Sequence, residues 1–134
     1  MRVSRLAPAL ALSLIATVGV ARGEVAQDNF LMRNTADLRD LCSAPQSSPI
    51  YTAAINFCHG FAVGVFRVLQ AETAAGGLRG LFCTPNPAPS RDEAIAGFVR
   101  WAQANPSQME QPPADGIATY LAHQYPCPAT GGKG

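Results

Sequence analysis

Apolar residues between positions 48 and 72 recur at the three-and-four spacing of one buried helical face: Ile50, Ala54, Phe57, Cys58, Phe61, Val65, Val68 and Leu69. The pattern predicts a long central helix. Ser48 is expected as its N-cap with Pro49 at the first helical position, and Gly76 and Gly77 as its stop. Gly60 and Gly64 lie four apart on one side, and each costs about 1 kcal/mol against alanine in a helix interior. A close backbone approach by another helix of the same chain is the expected compensation. His59 falls opposite the stripe and is expected at the surface.

Shorter amphipathic segments flank this helix. Asn34 or Thr35 can cap a helix that buries Leu38, Leu41 and Cys42, and the brief turn at 43–48, with Pro45, makes it an antiparallel neighbour of the central one. Residues 76–89 hold Pro85, Pro87 and Pro89, which remove amide donors and rule out a regular helix. That stretch reads as a connector anchored at Phe82 and Cys83. Ser90 followed by Glu93 forms a capping box ahead of Ala94, Ile95, Phe98, Val99 and Ala102, a third helix that ends before Pro106. Residues 105–113 are polar and rich in proline, an exposed loop. A fourth helix over 114–124 carries Ile117, Ala118, Tyr120 and Leu121 and is stopped by Pro126. Tyr51 and Trp101 read as packing residues. No stretch alternates as a strand does, so the fold class is all-α, a small four-helix domain.

The first residues change the picture of where this domain works. Arg2 and Arg5 precede an apolar run over 6–20 and small residues around Ala21 and Gly23, the organisation of a secretory signal peptide over residues 1–23. The run is shorter than the roughly 18 residues a membrane span needs, and Glu24, Gln27 and Asp28 follow at once. The mature chain is therefore expected free of the membrane, as one domain over 24–127 with a disordered tail over 128–134. Loss of Arg2, Arg5 and Arg22 takes the ten basic residues to seven against nine acidic, net −2. With no basic stripe, nucleic acid is excluded as a partner.

Four cysteines in an exported domain, none in a C-x-x-C pair, read as two disulfides. Helix order selects among three connectivities. An antiparallel first pair brings Cys42 to the early half of the central helix, where Cys58 sits; the returning third and fourth helices bring Cys127 back to Cys83. The expected bridges are Cys42 with Cys58 and Cys83 with Cys127. A metal or Cys-His site built from Cys58 and His59 or from His123 and Cys127 would need reduced thiols, which an oxidising compartment does not keep. No metal, cofactor or catalytic residue is assigned, and the chain is not expected to be an enzyme.

Taken together, Leu41-Cys42, Tyr51, Cys58-His59-Gly60-Phe61 with Gly64, Phe82-Cys83 with Pro85, a helix closing on Asn105-Pro106, and Tyr125-Pro126-Cys127 resemble the Rap/Tai family of immunity proteins. The resemblance runs from about Leu41 to Cys127. It implies a small, periplasmic, helical protein that binds and inhibits a peptidoglycan amidase injected by rival cells through the type VI secretion system, and the family includes homodimers. A general periplasmic stress or chaperone-like protein on a similar fold is the alternative. The loop at 105–113 is the expected grip on a partner, since loops on rigid scaffolds commonly carry binding. At its tip Gln108, Met109 and Glu110 are the expected contacts, with Met109 as an adaptable apolar plug and Glu110 as a charge facing the enzyme's histidine.

Overall fold

In the computed structural model residues 24–78 and 80–128 are described; the expected signal peptide over 1–23 and all but the first residue of the expected tail over 128–134 lie outside them. The chain enters through a 3₁₀ turn, Gln27–Leu31, whose Asn29 side chain accepts from the Ala26 amide at 2.7 Å. Asn34 then caps α1 (Thr35–Cys42), its side-chain oxygen accepting from the Asp37 amide at 3.1 Å. Eight residues are too few to hold a helix alone, and α1 survives because the rest of the chain encloses it. Leu38, Leu41 and Thr35 are fully buried, and α1 packs against the opening turn and all three other helices.

Next comes α2 (Tyr51–Ala74), starting two residues after the expected Pro49 because Ser48 and Pro49 are spent on a turn: the Tyr51 amide donates to the Ser48 carbonyl at 3.0 Å. Its end is as expected. Gly76 takes the left-handed conformation, φ 85°, and the Gly76 and Gly77 amides donate back to the Thr73 and Glu72 carbonyls. The Ser90–Glu93 capping box opens α3 (Arg91–Ala104), and α4 (Pro113–Gln124) closes the domain. The described residues contain four α-helices and no strand, and both disulfides are those that helix order selects, Cys42–Cys58 and Cys83–Cys127.

The buried face of α2 is the expected one but narrower, with Ile50, Phe61, Val65 and Leu69 packed at its margins. Ala54, Cys58 and Ala62 are buried, whereas Phe57 is 38 % and Val68 62 % exposed. The bridge from Cys58 to the last residue of α1 fixes which side of α2 faces inward, and small Ala54 and Ala62 on that side let neighbours come close. The larger apolar residues are turned to the edge. Gly60 and Gly64 lie on the exposed side with nothing within 4 Å of a Cβ built on either, so they do not seat a helix of this chain. Close approach occurs elsewhere: a Cβ on Gly97 would meet the Tyr120 hydroxyl, and one on Gly116 would meet the Thr35 side chain. By length and composition α2 could cross a membrane, with 17 % of its most apolar window buried.

The core between α3 and α4 is aromatic. Phe98, Trp101 and Tyr120 have ring centroids about 6 Å apart pairwise, and the Tyr120 hydroxyl donates to the Ala94 carbonyl at 3.1 Å. The connector is held at the place its sequence marks: Phe82 is buried beside Phe66, and the Cys83 amide donates to the Tyr125 carbonyl at 2.8 Å, next to the second disulfide.

Because Gly60 and Gly64 make no contacts within the chain, Gly60→Ala and Gly64→Ala should each stabilise the monomer by about 1 kcal/mol through helix propensity. Gly97→Ala and Gly116→Ala should both destabilise it. Urea unfolding of the four variants at low protein concentration checks the contrast.

Candidate partner-binding surface

Residues 105–112 join α3 to α4, and their backbone completes α1. Asn105 ends α3, its side-chain amide donating to the Trp101 carbonyl at 2.8 Å, and a 3₁₀ turn follows, Pro106–Gln108. The Met109 and Gln111 carbonyls then accept from the Ala36 and Thr35 amides at 3.1 and 2.8 Å, and the Thr35 hydroxyl donates to the Gln111 and Pro112 carbonyls at 2.9 and 3.2 Å. First-turn amides of a helix have no partner within it. Here a segment more than seventy residues away supplies the acceptors. Gly116 makes room for this contact, and a Gln111-to-Gln108 side-chain hydrogen bond at 2.7 Å stiffens the loop further.

The loop is thus a fixed projection rather than a solvated hairpin. Gln108 is half-buried, while Ser107 and Glu110 are exposed. Met109 corrects the expectation of a plug at the tip: it is 5 % exposed and belongs to the core. With its backbone pinned against α1, its side chain gains more from burial, about 2 kcal/mol for a residue of this size, than it could by facing water. What the loop offers a partner is therefore polar, from Gln108 and Glu110.

Beneath the loop's anchor lies a charged network. Asp37 accepts from the Asn29 side chain at 2.9 Å and from the Arg33 amide and Nε at 2.9 and 3.0 Å, tying the opening turn to α1. Burial pushes the Asp37 carboxyl up, but the hydrogen bonds from Arg33 and Asn29, with the Arg33 charge, outweigh it and hold the group below the usual carboxylate range. At the far end of the core, burial first and the neighbouring Tyr125 second push the Tyr120 hydroxyl well above its ordinary value. Among the described residues no His, Cys, Asp and Glu cluster could hold a metal ion, and all four cysteines are bridged. His59 faces Asp92 at 3.9 Å, with Asp92 almost fully in solvent, and His123 is exposed.

In the sequence Thr35 stood out only as an alternative cap to Asn34, and Gly116 not at all. The available signal was Thr35 following an N-cap asparagine, yet its long-range partner has no local signature.

A protein-family model described as Rap1a immunity proteins matches residues 34–127, well over half of the chain and all four helices. No curated protein and no solved structure matches it.

The Asp37 network should make stability pH-dependent with a defined sign. Because the folded carboxyl titrates below its unfolded value, its contribution is full above pH of about 4 and is lost as pH falls through the lowered folded value. Asp37→Ala should cost about 2 kcal/mol at neutral pH, the worth of a hydrogen-bonded charged group, and progressively less as pH falls below the ordinary carboxylate range. Urea midpoints for the two proteins across that range check it.

Proposed function

We propose, on the ground that this chain belongs to the Rap1a immunity protein family, that it is the periplasmic immunity partner of a peptidoglycan amidase delivered by a type VI secretion system. It acts by binding the amidase and blocking its active-site groove. The observation that carries this reading is the family match over residues 34–127, which spans both disulfides. The bridges suit an oxidising compartment, and the leader pattern at the N-terminus agrees with export.

Blocking a groove requires an element that enters it without a large ordering cost. The loop at 105–112 meets that need because its backbone is already fixed on α1, and it places Gln108 and Glu110 outward. Glu110 supplies a charge to set against a histidine of the enzyme. Homodimerisation is a separate part of the proposal. Its surface is the exposed edge of α2, where Phe57, Gly60, Gly64 and Val68 form an uncharged strip that a second copy could match by twofold symmetry.

The same apolar edge favours one alternative, a chaperone-like protein that binds unfolded clients. Suppression of client aggregation at low pH would distinguish it, since an immunity protein has one cognate enzyme.

Co-expression of the exported chain with the amidase encoded beside it should abolish lysis and yield a complex on size exclusion. Undiminished lysis with no complex would rule the immunity reading out. Replacing Gln108 and Glu110 together by serine should cost no more than about 1 kcal/mol, the worth of the lost Gln111–Gln108 hydrogen bond, while weakening inhibition; inhibition that survives intact moves the grip to the connector at 81–89. Light scattering should show a dimer that Val68→Arg converts to a monomer of unchanged helicity.

A further inference from the structure

Between α2, α3, α4 and the connector lies a cavity of about 280 Å³ that neither the loop nor the α2 edge uses. Its wall is almost wholly apolar, with Phe66, Phe82, Phe98 and Leu121 as its largest members. The cavity is partly open to solvent, and water in its apolar part would find few polar partners. Tyr120 also lines the cavity, and its hydroxyl is already engaged by the Ala94 carbonyl.

The charged residues on the wall are Arg67 and Arg91, and no carboxylate lines it. Both are exposed, and neither lies within ion-pair distance of an acid among the described residues. Arg67 lies over the Phe66 ring, 5.8 Å from its centroid, and donates one hydrogen bond to Gln70, leaving its other donors open. Two cations thus flank an aliphatic and aromatic slot. We propose that this cavity binds a single-chain amphiphile, its hydrocarbon tail among the aromatic residues and its anionic head between Arg67 and Arg91. The inference does not depend on the immunity reading.

Such a head and tail could come from a free fatty acid or from a membrane lipid, and titration calorimetry with sodium alkanoates below their micelle concentrations separates the two when paired with sedimentation on phosphatidylglycerol vesicles. Affinity should rise about fourfold per methylene along the series from hexanoate and then level off as the cavity fills. Arg67→Gln with Arg91→Gln should weaken decanoate about tenfold and leave decanol unchanged. Ala94→Leu, which fills the wall from α3, should weaken both, with circular dichroism confirming the fold of each variant. Alkanoate binding without vesicle binding assigns a free amphiphile; binding to both assigns a lipid drawn from the membrane. Absence of saturable alkanoate binding overturns the proposal, as does equal affinity for decanoate and decanol, or vesicle binding alone.

Discussion

Everything in this domain is arranged around the burial of one short helix. Left to itself α1 would not form, because eight residues cannot offset the cost of helix nucleation. Its two ends are fixed by distant parts of the chain instead. At the start, the carbonyls of residues 109 and 111 accept from its free amides; at the finish, Cys42 is bonded to α2. Between those ends Leu38 and Leu41 are wholly enclosed. Long α2 is the most conspicuous element by length, and each of the four helices touches the other three, but α1 is also packed closely on the opening turn.

This arrangement accounts for the rigidity of the frame. The first disulfide closes the short link between α1 and α2, and the second closes the longer excursion through the connector, α3 and α4. On the chain-entropy account they are worth roughly 3 and 4 kcal/mol, large amounts for a domain of this size. The bridges do not themselves hold the loop at 105–112. That loop is fixed by hydrogen bonds whose acceptors it provides and whose donors α1 cannot satisfy internally, so an exposed projection and a core helix stabilise one another.

What remains outside the frame is where partners and ligands can act. The loop presents a polar tip, the edge of α2 presents an uncharged apolar strip, and the cavity under the connector presents an apolar slot between two arginines. These are three surfaces of different chemistry on one small domain. A protein whose core is small leaves much apolar side chain near the surface, and α2, buried along one narrow line of alanine and cysteine, shows how.

The helices and most of their caps and stops were legible in the sequence because each depends on contacts within a few residues: Asn34 with Asp37, Ser90 with Glu93 and Gly76 with the last turn of α2. The start of α2 was not, because Ser48 and Pro49 are spent on a turn. Disulfide pairing was legible too, since it follows from helix order. The fine rotation of α2 was not. Phe57 and Val68 lie on the same apolar stripe as Ala54 and Cys58, and the bridge to α1 decides which of them turn fully inward. The same holds for the glycines. Gly60 and Gly64 have the spacing of a packing motif but meet nothing, whereas Gly97 and Gly116 have no motif and admit Tyr120 and Thr35. Met109 sits in a polar loop and still enters the core, because its backbone is pinned by amides more than seventy residues away. Local hydrogen bonding and periodicity are written along the chain; which part of a stripe, which glycine and which loop residue turn inward is settled only when distant segments meet.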